Sequence, residues 1–193
     1  MKNYLKGTIL LFITILSFNL NGQSFSISGK ESKMHVKGTS SLHDWVMEMA
    51  NMNCNVNLIL EGSRLKDIGE IKFSGKAKEL KSESNLMDKK AYSALQSDKF
   101  PEIKFIKTSM SGLISDNNKF SGKLEGDLSV AGETRRVNFP FSGTMRSNKA
   151  IDINGEIELK MSQFKIDPPT AMLGTLKTGD VISVSFSILL LHE

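Results

Sequence analysis

The residue types most suited to chemistry lie together in the segment "GTSSLHDW" at positions 38–45. Ser40, Ser41, His43 and Asp44 are the ingredients of a hydrolytic triad, in which an imidazole oriented by a carboxylate activates a hydroxyl nucleophile. A triad must converge on one point, whereas neighbours in an extended segment point alternately to opposite faces. The segment therefore reads as a turn or rim held by hydrogen bonds of His43 and Asp44, with Trp45 turned inward, and no catalytic residue is assigned. Metal binding has no better support, because His35, His43 and His192 fall in three separate regions without a ligand pair at helix or turn spacing. "GTLKTGD" at 174–180 has glycines and a lysine but lacks the strand-to-helix setting and the Lys-Ser/Thr ending of a phosphate loop. It reads as a hairpin connection, stiffened by Pro168 and Pro169. Cys54, the one cysteine, sits in the apolar phase of its segment and reads as a small buried residue. None of these residues makes a case for chemistry, and the expectation is a protein that is not an enzyme and holds no metal or cofactor.

The elements that would position such residues are strands. In "NMNCNVNLIL", Met52, Cys54, Val56, Leu58 and Leu60 share one face while Asn51, Asn53, Asn55 and Asn57 share the other. The same period of two recurs in "KFSGKLEGDLSV", "RRVNFPFSG" and "DVISVSFSILLL", and more briefly in "SFSIS", "KMHVKG", "GEIKFSG" and "EIELKMSQF". Turn-rich segments such as "SDNNK", "AGET" and "RSNKA" separate many of these runs, as expected of antiparallel neighbours. About eight strands result, enough to close a barrel around a side-chain-filled or ligand-sized interior. Glycines inside the pattern at Gly75, Gly122, Gly126 and Gly143 mark bends, bulges or space beside a ligand.

One segment, "NLMDKKAYSALQ", has helical spacing, with Asn85 as its cap, Asp88 in its first turn and Leu86, Met87, Ala91, Ala94 and Leu95 as its apolar stripe. Pro101 is expected to end it, and "SDKFPEIKF" to lead back into the wall with Ile103 and Phe105 inward and Lys104 outward.

The chain begins with Lys2 and Lys6 ahead of an apolar stretch from Gly7 to Leu20 and a small Gly22, which reads as a signal peptide over 1–22 and predicts an exported, periplasmic or secreted protein. No cysteine lies near the cleavage point for a lipid anchor, and no stable membrane anchor is expected. Of 25 basic and 21 acidic residues, the signal holds two basic and no acidic ones, leaving a formal +2 and no nucleic-acid footprint. Residues 24–193 then form one domain, large enough for a core without disulfides.

The helix, "SDKFPEIKF" and then "GDLSVAGETRRVNFPF" together resemble the YceI-like family of exported lipocalin-like barrels, also called the polyisoprenoid-binding family. The resemblance rests on Phe100, Pro101, Ile103 and Phe105, and on Leu128, Ser129, Gly132 and Thr134. "GTSSLHDW" and "PPTAMLGTLKTGD" resemble a subgroup of such barrels, and the similarity runs from about residue 24 to 193. It implies a mainly β fold, an eight-stranded antiparallel lipocalin-like barrel with one short helix between strands, whose apolar lumen sequesters or carries a long isoprenoid or fatty-acyl lipid. The lipid-binding residues it implies here are Trp45, Phe73, Phe100, Phe105, Leu124, Leu128, Phe139, Phe141, Leu159, Phe164, Met172 and Phe186. Any one of them is equally a plain core residue, so only the set carries the expectation. Lys177 is either solvated or placed at a lipid headgroup. The partner expected is a small apolar ligand, with the oligomeric state left open. The alternative is a non-catalytic structural or interaction barrel of the cell envelope, with a small lumen and an exposed apolar patch.

Overall fold

A computed structural model describes residues 22–62, 64–147, 149–171 and 174–193. The proposed signal peptide, apart from Gly22, and Met172 lie outside the described residues. The alternating runs form twelve β segments, and hydrogen bonding merges eleven of them into eight staves. These are β1 (Gln23–Ile27 and Lys33–Ser40), β2 (Trp45–Met49 and Asn53–Glu61), β3 (Arg64–Lys76 and Leu80–Lys81), β4 (Glu102–Asp116), β5 (Lys119–Val130), β6 (Glu133–Ser147), β7 (Ala150–Lys160) and β8 (Leu176–His192). Each stave pairs antiparallel with the next, and β8 returns to β1 through Phe25↔His192 at one end and Val36↔Val184 further along. The ring is closed, so every stave has a neighbour on both sides. The remaining segment, Thr170–Ala171, makes a short ladder on the start of β8.

Three staves are interrupted, and each break has its own hydrogen bonds. In β1, residues 28–32 loop out: the Ser28 amide donates to the Leu189 carbonyl at 2.8 Å, and buried Ser32 accepts at Oγ from the Leu189 amide at 3.0 Å. In β3 a 3₁₀ turn, Ala77–Glu79, intervenes, and the Ala77 amide donates to the Pro101 carbonyl at 2.8 Å. Broken staves bend more sharply than straight ones, which suits a small closed barrel.

The helix α1 (Asn85–Ala94) lies in the long connection from β3 to β4, across one end of the barrel. Its cap is Ser84, not Asn85: the Ser84 hydroxyl accepts from the Met87 amide, and Asn85 is already helical. Asp88 does more than face the helix dipole. It is buried, and its Oδ1 accepts from both the amide and the hydroxyl of Ser82, which anchors the approach to the helix. Pro101 is not the stop either. Gln96 takes a left-handed conformation at φ 49°, and the Ser97 amide returns to the Tyr92 carbonyl, closing the helix five residues before the proline. Tyr92 then ties helix to wall through hydrogen bonds from its hydroxyl to the Lys78 and Leu80 carbonyls.

The meander gives the barrel two unlike ends. At one, where β1 begins and β8 finishes, Phe25, Leu58, Leu65, Ile68, Ile151 and Leu190 are fully buried and plug the interior. The opposite end carries the 40–45 turn, α1, the β5–β6 hairpin, and the segments 161–171 and 174–178.

Candidate functional site

Above the plug the interior is open. A cavity of about 500 Å³ runs up the barrel and is lined almost wholly by apolar side chains, within the size range of small-molecule sites. Its floor includes Ile68, Ile188 and Leu190, and its polar lining residues, Ser40, His43, Ser84, Lys90, Thr170, Lys177 and Thr178, all belong to the far end. Among the described residues the cavity therefore has one mouth, framed by the 40–45 turn, α1, and the Thr170–Ala171 ladder on the start of β8. Leu42 and Leu86 stand at that mouth with 67% and 65% of their surface exposed.

The space exists because aromatic rings lie flat on the wall over glycines. Gly38 pairs with Trp45, Gly122 with Phe141 and Gly155 with Phe186 in register across neighbouring staves. Gly126 underlies the Phe105 ring in the same way. A methyl carbon on Gly155 would sit 2.4 Å from Phe186 Cζ, and one on Gly38 2.3 Å from Trp45 Cζ2. Such distances are far inside van der Waals contact, so with any larger residue the ring would have to leave the wall. Phe139 joins the layer by packing edge-on to Phe186 at 5.8 Å and tilted against Phe105 at 5.4 Å. The interior glycines thus serve as seats for cross-strand rings, a device that also pins register.

Of the twelve residues nominated from sequence, ten border the cavity: Trp45, Phe73, Phe105, Leu124, Leu128, Phe139, Phe141, Leu159, Phe164 and Phe186. Met172 lies outside the described residues. Phe100 is a correction, for its ring does not border the cavity. It packs instead on Gly132, where an added methyl carbon would lie 2.5 Å from Phe100 Cζ. Ala131 and Gly132, at φ 51° and 82°, form the two-residue turn between β5 and β6, and the bare Gly132 leaves room for the ring. Lys99 Nζ covers the ring at 5.0 Å. The aromatic before the proline clamps the helix-to-wall junction to a hairpin.

The sequence reading did not nominate Met34, Val36, Met47, Ile153, Ile157, Ile182 or Val184, all of which also border the cavity. They lie in the same alternating phase as the nominated residues, so the period of two contained the signal for them. The helix residues Met87, Ala91, Ala94 and Leu95 close the side of the mouth.

The Ser/His/Asp segment is a turn. Ser40 Oγ donates to the His43 carbonyl at 2.7 Å and accepts from the amides of Leu42 and His43. His43 Nδ1 lies 2.7 Å from the Asp44 backbone carbonyl, not from a carboxylate. Ser41 Oγ accepts from the Lys177 amide at 3.0 Å, stitching the turn to β8 across the mouth. Trp45 Nε1 donates to the Thr39 carbonyl at 3.0 Å, which holds the indole inward over Gly38. Cys54 borders the cavity, and burial pushes its thiol up to about 12, so it stays protonated and apolar at neutral pH. Among the described residues no cluster of three or more His, Cys, Asp or Glu could hold a metal ion.

A model of the YceI-like domain matches residues 19–190. Among solved structures, BcnA from Burkholderia cenocepacia superposes with a TM-score of 0.68 at 11% identity, over 84% of this chain and 98% of that one. A polyisoprenoid binding domain from Saccharophagus degradans, implicated in plant cell wall breakdown, gives 0.69 at 8% identity over 89% and 99% of the two chains. The YceI protein of Campylobacter jejuni gives 0.60 at 16% identity over 75% and 82%. At these identities the likeness is one of fold. No curated protein sequence matches the chain.

Proposed function

The chain belongs to the family of YceI-like domains, and on that premise we propose that it is a binding protein for a long-chain isoprenoid or fatty-acyl lipid, which it sequesters or carries without chemical change. The observation that carries this reading is the apolar cavity of about 500 Å³, closed at one end and open at the other. At about 30 Å³ per water-sized group, it has room for about 17 groups of methylene size. A chain of about sixteen carbons buried there contributes on the order of 13 kcal/mol gross. Association costs at least about 4 kcal/mol, which leaves at most about 9 kcal/mol net, a sub-micromolar Kd at the tightest. An interaction barrel with a small lumen has no need of such a cavity, so the open lumen favours the lipid-binding reading. The amino-terminal segment supports export to the periplasm or beyond, where such a carrier would move lipid through an aqueous space.

The test is displacement of a fluorescent apolar probe, N-phenyl-1-naphthylamine, from the purified protein by farnesol and palmitate. Saturable uptake of one probe per chain, reversed by either lipid, is expected. Absence of uptake, with the protein folded by circular dichroism, rejects the reading.

A further inference from the structure

Resting on that lipid-binding reading, we propose that the mouth is an anion site: the preferred ligand is a single-chain amphiphile whose carboxylate or phosphate headgroup sits between Lys90 and Lys177. Among the described residues no aspartate or glutamate borders the cavity, and its ionisable groups are His43, Lys90 and Lys177 at the mouth and Cys54 deeper in the wall. The two lysines share one rim. Lys90 Nζ, on α1, donates to the Thr170 carbonyl at 2.5 Å, and Thr170 is the direct ladder partner of Lys177. Directly opposed residues of an antiparallel pair lie about 5 Å apart at Cα, so the Lys177 backbone sits on the rim that the Lys90 ammonium group reaches, and both residues border the cavity there.

Neither makes an ion pair among the described residues, whereas Lys66, Lys72, Lys104 and Lys165 each hold a carboxylate at 2.6 to 2.7 Å. The carboxylates that sequence brings nearest are not available to them. Asp88 is buried and accepts from Ser82, Asp180 accepts from the amide and hydroxyl of Ser162, and neither Asp180 nor Asp44, Glu83 or Asp167 borders the cavity. Two like charges sharing a rim repel one another, and an anion between them reverses the sign of the interaction. Its hydrogen bonds would be charge-assisted, and the apolar walls below fix where the headgroup must stop. The cavity volume limits the tail to one chain, which excludes two-chain lipids from full insertion.

Three ligands of equal chain length separate headgroup from tail: palmitate, hexadecyl phosphate and hexadecanol, each competing with N-phenyl-1-naphthylamine on the purified protein. At low ionic strength at least one anion should bind about tenfold more tightly than hexadecanol, and salt should narrow the gap. Which anion leads identifies the carboxylate or the phosphate as the natural headgroup. In Lys90→Met/Lys177→Met the anion-to-alcohol ratio should fall to about one, while Lys90→Arg/Lys177→Arg, which keeps both charges, should retain the preference. Equal binding of all three ligands by the wild type, or a preference that survives the double methionine variant, overturns the inference and leaves lipid binding standing. Failure of all three to displace the probe overturns the lipid-binding reading itself.

Discussion

Gly155→Ala adds one carbon to the wall and tests whether seated rings create the lumen. The new methyl would lie 2.4 Å from Phe186 Cζ, 2.9 Å from its Cε1 and 3.0 Å from the Pro140 carbonyl oxygen. The backbone contact is tight but can relax by a few tenths of an ångström, whereas the ring contact cannot, so Phe186 must swing off β7. Phe139, edge-on at 5.8 Å, flanks it, and the free direction is the cavity. Overpacking costs about 1–3 kcal/mol. Removing a strand glycine returns about 0.5–1 kcal/mol, so net destabilisation should stay below about 2.5 kcal/mol. Binding suffers more. A ring standing in the lumen displaces about three methylenes of ligand, at about 0.8 kcal/mol each, and weakens a sixteen-carbon chain by about 2.4 kcal/mol, or about sixtyfold in Kd. Probe-displacement titration of palmitate reads the affinity, and urea denaturation reads the stability. A Gly155→Ala protein that folds and binds palmitate within threefold of wild type would refute the argument that glycine seats keep the cavity open.

Phe100→Ala should lower stability by about 1–2 kcal/mol, less than the 3–5 of a fully buried phenylalanine, and leave lipid affinity unchanged, since its ring sits on Gly132 outside the cavity. Phe105→Ala should lower both, as read by paired urea and displacement titrations. Leu58→Ala, at a side chain with no exposed surface in the plug, should cost about 2–5 kcal/mol in urea denaturation. Cys54 should resist Ellman's reagent at pH 8 until the protein is denatured. Its folded pKa, about 12, lies above the unfolded value near 9, so its contribution leaves stability untouched below about pH 9 and lowers it as pH climbs from there toward 12. Urea denaturation between pH 7 and 10.5 should therefore show a steeper alkaline loss than in Cys54→Ala, where that proton is absent.

The barrel was legible because its signal is local. Asn51, Asn53, Asn55 and Asn57 on one face and Cys54, Val56 and Leu58 on the other announce a half-buried strand without reference to any other part of the chain, and those asparagines are exposed and those apolar residues buried. What depended on cross-strand register was not legible. Gly155 and Phe186 are 31 positions apart, and nothing in either segment says that one seats the other. Phe100 failed for a related reason: an aromatic beside a proline reads the same whether it faces a lumen or a hairpin, and only the fold brings Gly132 beneath it. The helix ends were misplaced by one cap and one stop, because Ser84 and Asn85 are both good caps and because Gln96 adopts a left-handed turn that its residue type does not announce. The mouth could be located only once Lys90, Thr170 and Lys177, spread over 87 residues, were placed on one rim.

The central claim, that the lumen holds one lipid chain, is tested most directly by native mass spectrometry of the protein isolated from cells and again after incubation with palmitate. The account predicts a one-to-one adduct in at least the second spectrum, lost on organic extraction and weakened in Gly155→Ala. A spectrum of the bare chain under both conditions, from protein that is folded, would contradict it.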